Sequence, residues 1–298
     1  MSRISKKHKI IIIAIISLIV ILSFPPLYFW VLNPSKVSHG TLHFDKNKEK
    51  LFLNDSLLWD TGASGSLLYE KYINIIPHKI AIGYTWLFDS FNKIQLKKLY
   101  YSSQFSPITS LNINNFCFIM YDLSEIMQDS TEIGLIGMDV ISKVNWLIDF
   151  NSETASIFPQ NEKYKAENPQ LALQYKRNKR PKTQLDFSAC KFEKVLIDAG
   201  SNCELTLLKS DIEIINEKYK PIDTLTVSTY GIHSTKPTIQ NLYIYDTITI
   251  NNVCFHNVEI IEGSVKRVIG FKFFKRFEKV FLNTTEKRFY FYSADTDL

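Results

Sequence analysis

The chain repeats itself. SLLWDTGASGSLL (56–68) is similar to KVLIDAGSNCELTLL (194–208), and SLNINNFCF (110–118) is similar to TITINNVCF (247–255). A third pair matches IGLIGMDVISKVNWLIDFNSETASIF (133–158) with KRVIGFKFFKRFEKVFLNTTEKRFYF (266–291). The three blocks keep one order and a nearly constant offset. Such self-similarity predicts one structural unit used twice, whose copies bury a common core. Asp60 then corresponds to Asp198, and Cys117 to Cys254. Two copies related by an approximate twofold axis bring like residues face to face.

The unit reads as mostly β. Short runs such as KLFL (50–53), IQLKKLYY (94–101), NFCFIM (115–120), LTVSTY (225–230), NLYIYDTITI (241–250) and KRFYFYS (287–293) are rich in Tyr, Phe, Ile and Val. Asn, Asp, Gly and Ser punctuate them, which is strand and turn chemistry. Helix is expected only near 67–75 and 209–217. The polar segment 160–182, with Pro169 and Pro181, reads as a connector between copies. The expected organisation is a flank and anchor over 1–33, a first lobe over 34–165 and a second over 166–298.

The formal net charge of +5 is unevenly placed. Arg3, Lys6, Lys7 and Lys9 precede a charge-free stretch from Ile10 to Leu32, and the remainder is close to neutral. A body without basic excess argues against a nucleic-acid partner. The apolar stretch is long enough to cross a bilayer as one transmembrane helix, and Tyr28 and Trp30 suit its interface. The basic flank predicts a cytoplasmic N-terminus and a body on the other side of the membrane. A cleaved signal peptide is the alternative, but no small-x-small site follows. The short span before the strand of Asp60 leaves little room for a bulky inhibitory segment. Four cysteines without a CxxC pair fit neither a disulfide scaffold nor a structural zinc site. Cys117 and Cys254 are expected in the core, and Cys190 and Cys203 are candidates for a disulfide in an oxidising compartment.

Each copy carries Asp-x-Gly after an apolar run: Asp60-Thr61-Gly62-Ala63-Ser64, and Asp198-Ala199-Gly200-Ser201. A lone triplet of this kind is uninformative, but the chain's two fall at the same place in the repeat. Each copy closes on a second signature, Ile136-Gly137-Met138-Asp139 and Ile269-Gly270-Phe271. In these features the chain resembles the aspartic peptidases, as a retropepsin-like unit duplicated in one chain in the manner of the pepsin-like enzymes. The resemblance covers roughly residues 38–293. It implies a mostly β, bilobal acid-protease fold, a polypeptide substrate, a monomer and no cofactor or metal.

The chemistry explains the residue types. Two carboxylates at close range share one proton, so one is a base and the other an acid. The pair activates a water for attack on a peptide carbonyl. Asp60 and Asp198 are the expected catalytic pair. Thr61, Gly62, Ala63, Ser64, Ala199, Gly200 and Ser201 are expected to support their loops. In the family arrangement Thr61 reaches across to the opposite loop, and Ala199 departs from the usual Thr or Ser. Family members also cover the cleft with a hairpin, expected here within 80–101 with Tyr84 or Trp86 meeting the substrate. A second hairpin over 228–237 would make two flaps.

Plainer readings compete at some positions. Asp139 is expected to be structural, since Phe271 or Lys272 stands in its place in the second copy. His39 and His43 lack the Glu of a zinc HExxH motif. Against the peptidase stands a catalytically weak or inactive peptide-binding or sensor module, with Ala199 as a sign of decay. A membrane-tethered assembly protein is a third reading.

Overall fold

The computed structural model describes residues 11–13, 35–88, 94–122, 131–162, 164, 168–176, 179–188, 190–229 and 237–293. The first half of the chain forms β1 (Lys36–Val37), β2 (Gly40–His43), β3 (Phe52–Leu53), β4 (Leu57–Trp59), β5 (Ser66–Tyr69) and β6 (Ile80–Phe88). It continues through β7 (Ile94–Ile108), β8 (Leu111–Tyr121), β9 (Gly134–Ile136), the one-turn helix α1 (Met138–Ile141), β10 (Asn145–Asp149) and β11 (Thr154–Phe158). The second half forms β12 (Leu171–Gln174), β13 (Lys182–Asp186), β14 (Lys191–Ile197), β15 (Leu205–Leu208), α2 (Lys209–Lys218) and β16 (Asp223–Thr229). It ends with β17 (Thr238–Ile250), β18 (Val253–Gly263), β19 (Val268–Ile269), α3 (Phe271–Phe274), β20 (Lys279–Asn283) and β21 (Arg288–Tyr292). The protein is mostly β.

Three sheets organise these strands. One runs β3-β4-β9-β5-β8-β7-β6, with β1 added on β8, and another runs β13-β14-β19-β15-β18-β17-β16. The two orders agree strand for strand. In both, a parallel pair (β4 with β9, β14 with β19) sits beside the strand that follows the Asp-x-Gly loop. The third sheet, β12-β21-β20-β10-β11-β2, takes strands from both halves. Its centre is the antiparallel β10–β20 pair, with Trp146 opposite Leu282 and Ile148 opposite Val280. An antiparallel pair of equivalent strands is what a twofold relation between copies requires.

The core fills the space between the sheets. Trp59 and Trp146 are fully buried and meet edge to face at 5.8 Å. Phe273, Phe274, Phe289 and Phe291 form a buried aromatic cluster, and Phe271 meets Phe150 at 5.9 Å. Large rings in such offset contacts bury much apolar area and fix the packing geometry.

Several local expectations change. The segment 67–75 is helical only in part: Leu67 and Leu68 belong to β5, and a short 3-10 helix over Glu70–Ile75 follows. Both leucines are buried because β5 lies between β8 and β9 inside the sheet. The connector 160–182 includes β12, whose Leu171 and Leu173 point into the core. Cys117 is buried, but Cys254 is exposed. Both stand on the sheet face opposite the core-facing Phe118 and Phe255, and only in the first copy do Leu99 and Ile82 cover that face. Cys190 and Cys203 are both free. No helix among the described residues is long and apolar enough to cross a membrane. The stretch 10–32 lies outside them, apart from helical residues 11–13.

Candidate active site

Each Asp-x-Gly loop leaves the end of a central strand and is held by backbone. The Asp60 amide donates to Ile136 O at 3.1 Å, and the Asp198 amide donates to Ile269 O at 2.8 Å. Farther along, Met138 N donates to Ala63 O and Phe271 N donates to Ser201 O, at 2.8 and 2.7 Å. The Ile-Gly segments thus clamp both loops in the same way. Gly137 and Gly270 make that clamp close: a Cβ there would lie 2.7 Å from Gly65 O and 2.2 Å from Cys203 O respectively.

The two loops face each other across the lobes. A Cβ on Gly62 would lie 2.2 Å from Asp198 Cγ, and one on Gly200 would lie 2.4 Å from Asp60 Cγ. Each carboxylate therefore rests against the glycine of the opposite loop, a seat that any side chain there would fill. Asp60 Oδ1 accepts from the amides of Gly62 and Ala63 at 2.8 and 3.0 Å, and Asp198 Oδ1 accepts from Gly200 N at 3.1 Å. Thr61 is fully buried and ties the lobes together. Its hydroxyl donates to Ile197 O at 2.8 Å and accepts from Ala199 N at 3.0 Å. Ala199, equally buried, has no hydroxyl to make the mirror-image bonds.

The electrostatics are uneven. Burial, then the charge of Asp198, pushes the Asp60 carboxyl up to about 7, against the opposing pull of the Ala63 and Gly62 amides and of Lys50. On the other side, Lys266 Nζ lies 3.7 Å from Asp198 Oδ2. Tyr69 flanks Asp60, and its hydroxyl is kept protonated by burial and by the charges of Glu132 and Asp60. Ser201 turns its hydroxyl toward Cys203 Sγ at 3.2 Å, while Ser64 is exposed. Burial pushes the Cys203 thiol up as well, which keeps it out of nucleophilic chemistry.

Sequence reasoning missed Lys266. Its signal was available in the repeat: the equivalent first-copy residue is Ile133, which is buried. A cation replacing a buried apolar residue beside the strand that leads into an Asp-x-Gly loop is a marked departure from symmetry. Asp139 behaves as a structural group. It accepts from both the amide and the hydroxyl of Ser66, at 3.2 and 2.9 Å, and burial pushes its carboxyl up to about 6.

A hairpin stands where a flap is expected. β6 pairs with β7 in the register Tyr84–Lys98, Trp86–Leu96 and Phe88–Ile94. Leu87, on one face, packs against a cluster of Leu58, Leu67, Tyr69, Tyr121 and Leu135 that also touches Ala63 of the first Asp-x-Gly loop. Tyr84 and Trp86 lie on the other face and are 61% and 60% exposed. The side chains expected to meet a substrate thus point away from the body, and Leu87 takes the inward position. The alternation of side chains along a strand decides this. In the second copy, β16 and β17 flank the expected second hairpin, of which residues 230–236 lie outside the described residues.

Among the described residues, no group of three or more His, Cys, Asp and Glu side chains is placed to hold a metal ion. Comparison with protein-family profiles and with curated proteins finds no match to this chain.

Proposed function

We propose that the chain is an aspartic endopeptidase of pepsin-like or retropepsin-like architecture, hydrolysing peptide bonds with a water held between Asp60 and Asp198. One observation carries the reading: each carboxylate is seated on the glycine of the opposite loop, while Thr61 bridges the loops. A structural Asp capping its own turn needs no such reciprocal seat.

The asymmetry assigns roles. Asp60, whose carboxyl is raised by desolvation and by its partner's charge, keeps the proton of the pair, and Asp198, with the Lys266 ammonium 3.7 Å from its Oδ2, serves as the base. Asp198 takes a proton from the water as its oxygen attacks the carbonyl carbon. Asp60 donates its hydrogen bond to the carbonyl oxygen, which gains charge in the tetrahedral intermediate. Asp198 then returns the proton to the departing amine, and Asp60 recovers its own as the carbonyl re-forms. The substrate is an extended polypeptide lying between the lobes, bound by main-chain hydrogen bonds and side-chain pockets. The apolar cluster beside Ala63 would wall the cleft on the Asp60 side. As a single-pass membrane protein anchored through 10–32, the chain would hold this body outside the cytoplasm, as a monomer.

The test is cleavage of an unfolded protein from acid to neutral pH, with and without a transition-state analogue of aspartic peptidases. Inhibitor-sensitive cleavage is expected. No cleavage at any pH overturns the proposal in favour of a peptide-binding module on the same fold. The missing hydroxyl at buried Ala199 is the observation that favours that second reading.

A further inference from the structure

The same hairpin carries different chemistry in the two lobes. In the first, Tyr84, Trp86, Phe88, Ile94 and Leu96 stand on one face, and each is more than half exposed. In the second, the matching strand β16 reads DTLTVST, and the exposed apolar residues of its pair with β17, Leu225 on β16 and Ile239 on β17, do not share a face. The fold therefore does not demand an apolar outer face at this hairpin. A contiguous exposed apolar row marks a contact surface.

Three features identify what covers it. The row combines Trp and Tyr with Phe, Ile and Leu, which is the composition of side chains that settle at a membrane–water interface. Its one described charge is positive: Lys98 stands opposite Tyr84, while Lys97 turns to the other face over the Tyr121 ring; β6 and residues 94–101 hold no acid, and the sequence between them adds one Asp and one Lys. The chain also leads there. The charge-free stretch ends at Leu32, and β1 begins at Lys36 on the same sheet as the hairpin, so the intervening residues span at most about 13 Å. β1 runs antiparallel to β8, with Lys36 opposite Asn114, and the Ser35 hydroxyl donates to Asn115 O. Traced backward, the chain therefore heads along β8 toward Tyr121. The hairpin projects in the same direction, since Gln104 pairs with Asn114 and Leu99 with Ile119.

We propose that Tyr84, Trp86, Phe88, Ile94 and Leu96 dock into the interfacial layer of the bilayer that the N-terminal stretch spans. The inference rests on the anchor reading and not on the catalytic one. Its consequence for function is geometric. One face of the hairpin meets lipid while Leu87 on the other covers the apolar cluster beside Asp60, so the cleft is presented to polypeptide segments close to the membrane surface.

The experiment uses the full chain with Trp30→Phe, reconstituted in phosphatidylcholine–phosphatidylglycerol vesicles. Trp59 and Trp146 are fully buried, so the difference between this chain and one also carrying Trp86→Phe reports Trp86 alone. Lipid brominated in its acyl chains is expected to remove most of the Trp86 emission, while aqueous iodide leaves it intact. Ile94→Lys with Leu96→Lys, both at exposed positions, is expected to reverse that pattern. Four results overturn the proposal: iodide quenching without bromolipid quenching, shielding that appears only with added peptide, shielding that follows protein-to-lipid ratio as self-association would, or a chain that does not float with the vesicles. None of these readings involves cleavage. A repeat with Asp60→Asn therefore separates failure of this inference from failure of the peptidase reading.

Discussion

Thr61 and Ala199 occupy equivalent places in the two Asp-x-Gly loops and do different things. Thr61 makes both cross-lobe bonds through one hydroxyl, and Ala199 offers a methyl and an amide. The same division recurs one strand further on. In the first lobe Ser66 meets half-buried Asp139, and in the second its counterpart Glu204 is buried against the Arg276 guanidinium. Ile133 is matched by Lys266, and an apolar hairpin face by a largely hydroxylated one. The backbone clamps, in contrast, are the same in both lobes. A duplicated unit can thus diverge at nearly every side chain around its centre while main-chain hydrogen bonds and paired glycines keep the geometry. That divergence gives two chemically identical carboxylates unlike surroundings, which is what the proposed division into one acid and one base requires of a symmetric pair.

The sharpest break of this comparison is removal of either carboxylate. Asp60→Asn and Asp198→Asn are each expected to lower cleavage of a peptide substrate by about 10²–10⁴-fold, the span of a lost acid or base. Parental rates from both variants would dispose of the pair. Asp60→Asn also has an effect on stability of opposite sign. A carboxyl raised in the folded state binds its proton more tightly folded than unfolded, so folding is favoured at low pH. That advantage fades as pH rises from the unfolded value of 3.8 through about 7. The Asn variant is expected to melt higher than the parent at neutral pH, with the gap closing toward pH 4, as thermal unfolding at several pH values would show.

Next in size is Thr61→Ala. It leaves Ile197 O and Ala199 N unpaired in a buried site, at a cost of about 1–3 kcal/mol in a denaturant titration. Thr61→Ser should recover most of it. An equal loss in both would mean that packing of the methyl, rather than the bridge, holds the lobes.

Much of this frame was legible before any coordinates. The repeat announced paired sheets and facing aspartates because duplicated backbone must superpose on itself. What escaped reading was set by which face a residue occupies. Leu67 and Leu68 lie next to one another with a helix-like run behind them, yet sheet neighbours on both sides put them in a strand. Tyr84 and Trp86 are expected at the cleft on the family resemblance; a one-residue irregularity between Ala81 and Gly83 and the alternation beyond it place them on one face of the hairpin and Leu87 on the other. Lys266 went unread because a lone lysine carries no motif. Only its alignment with Ile133 gives it meaning.

Lys266 offers a finer test. Removing a positive charge beside the pair makes each deprotonation harder, so Lys266→Gln is expected to move both limbs of the pH–rate profile upward, by less than about one unit for a partly exposed partner. Lys266→Arg should restore the parental limbs. A fall in rate with unmoved limbs would assign Lys266 to substrate contact instead.

The smallest effect comes from restoring symmetry. Ala199→Ser places a hydroxyl where the mirror image of Thr61 would have one, positioned to donate to Trp59 O as Thr61 donates to Ile197 O. Serine adds one atom to a fully buried site, which limits crowding relative to threonine. If the loops are as symmetric as their clamps, the new bond contributes about 1 kcal/mol or less, read as a higher denaturant midpoint with an unchanged slope. Activity should change little, because the charges that distinguish Asp60 from Asp198 lie elsewhere, at Lys266 and Lys50. A lower midpoint for Ala199→Ser would mean that the second loop has settled around its alanine, so that the symmetry is carried by the backbone clamps and no longer by the room beside Thr61.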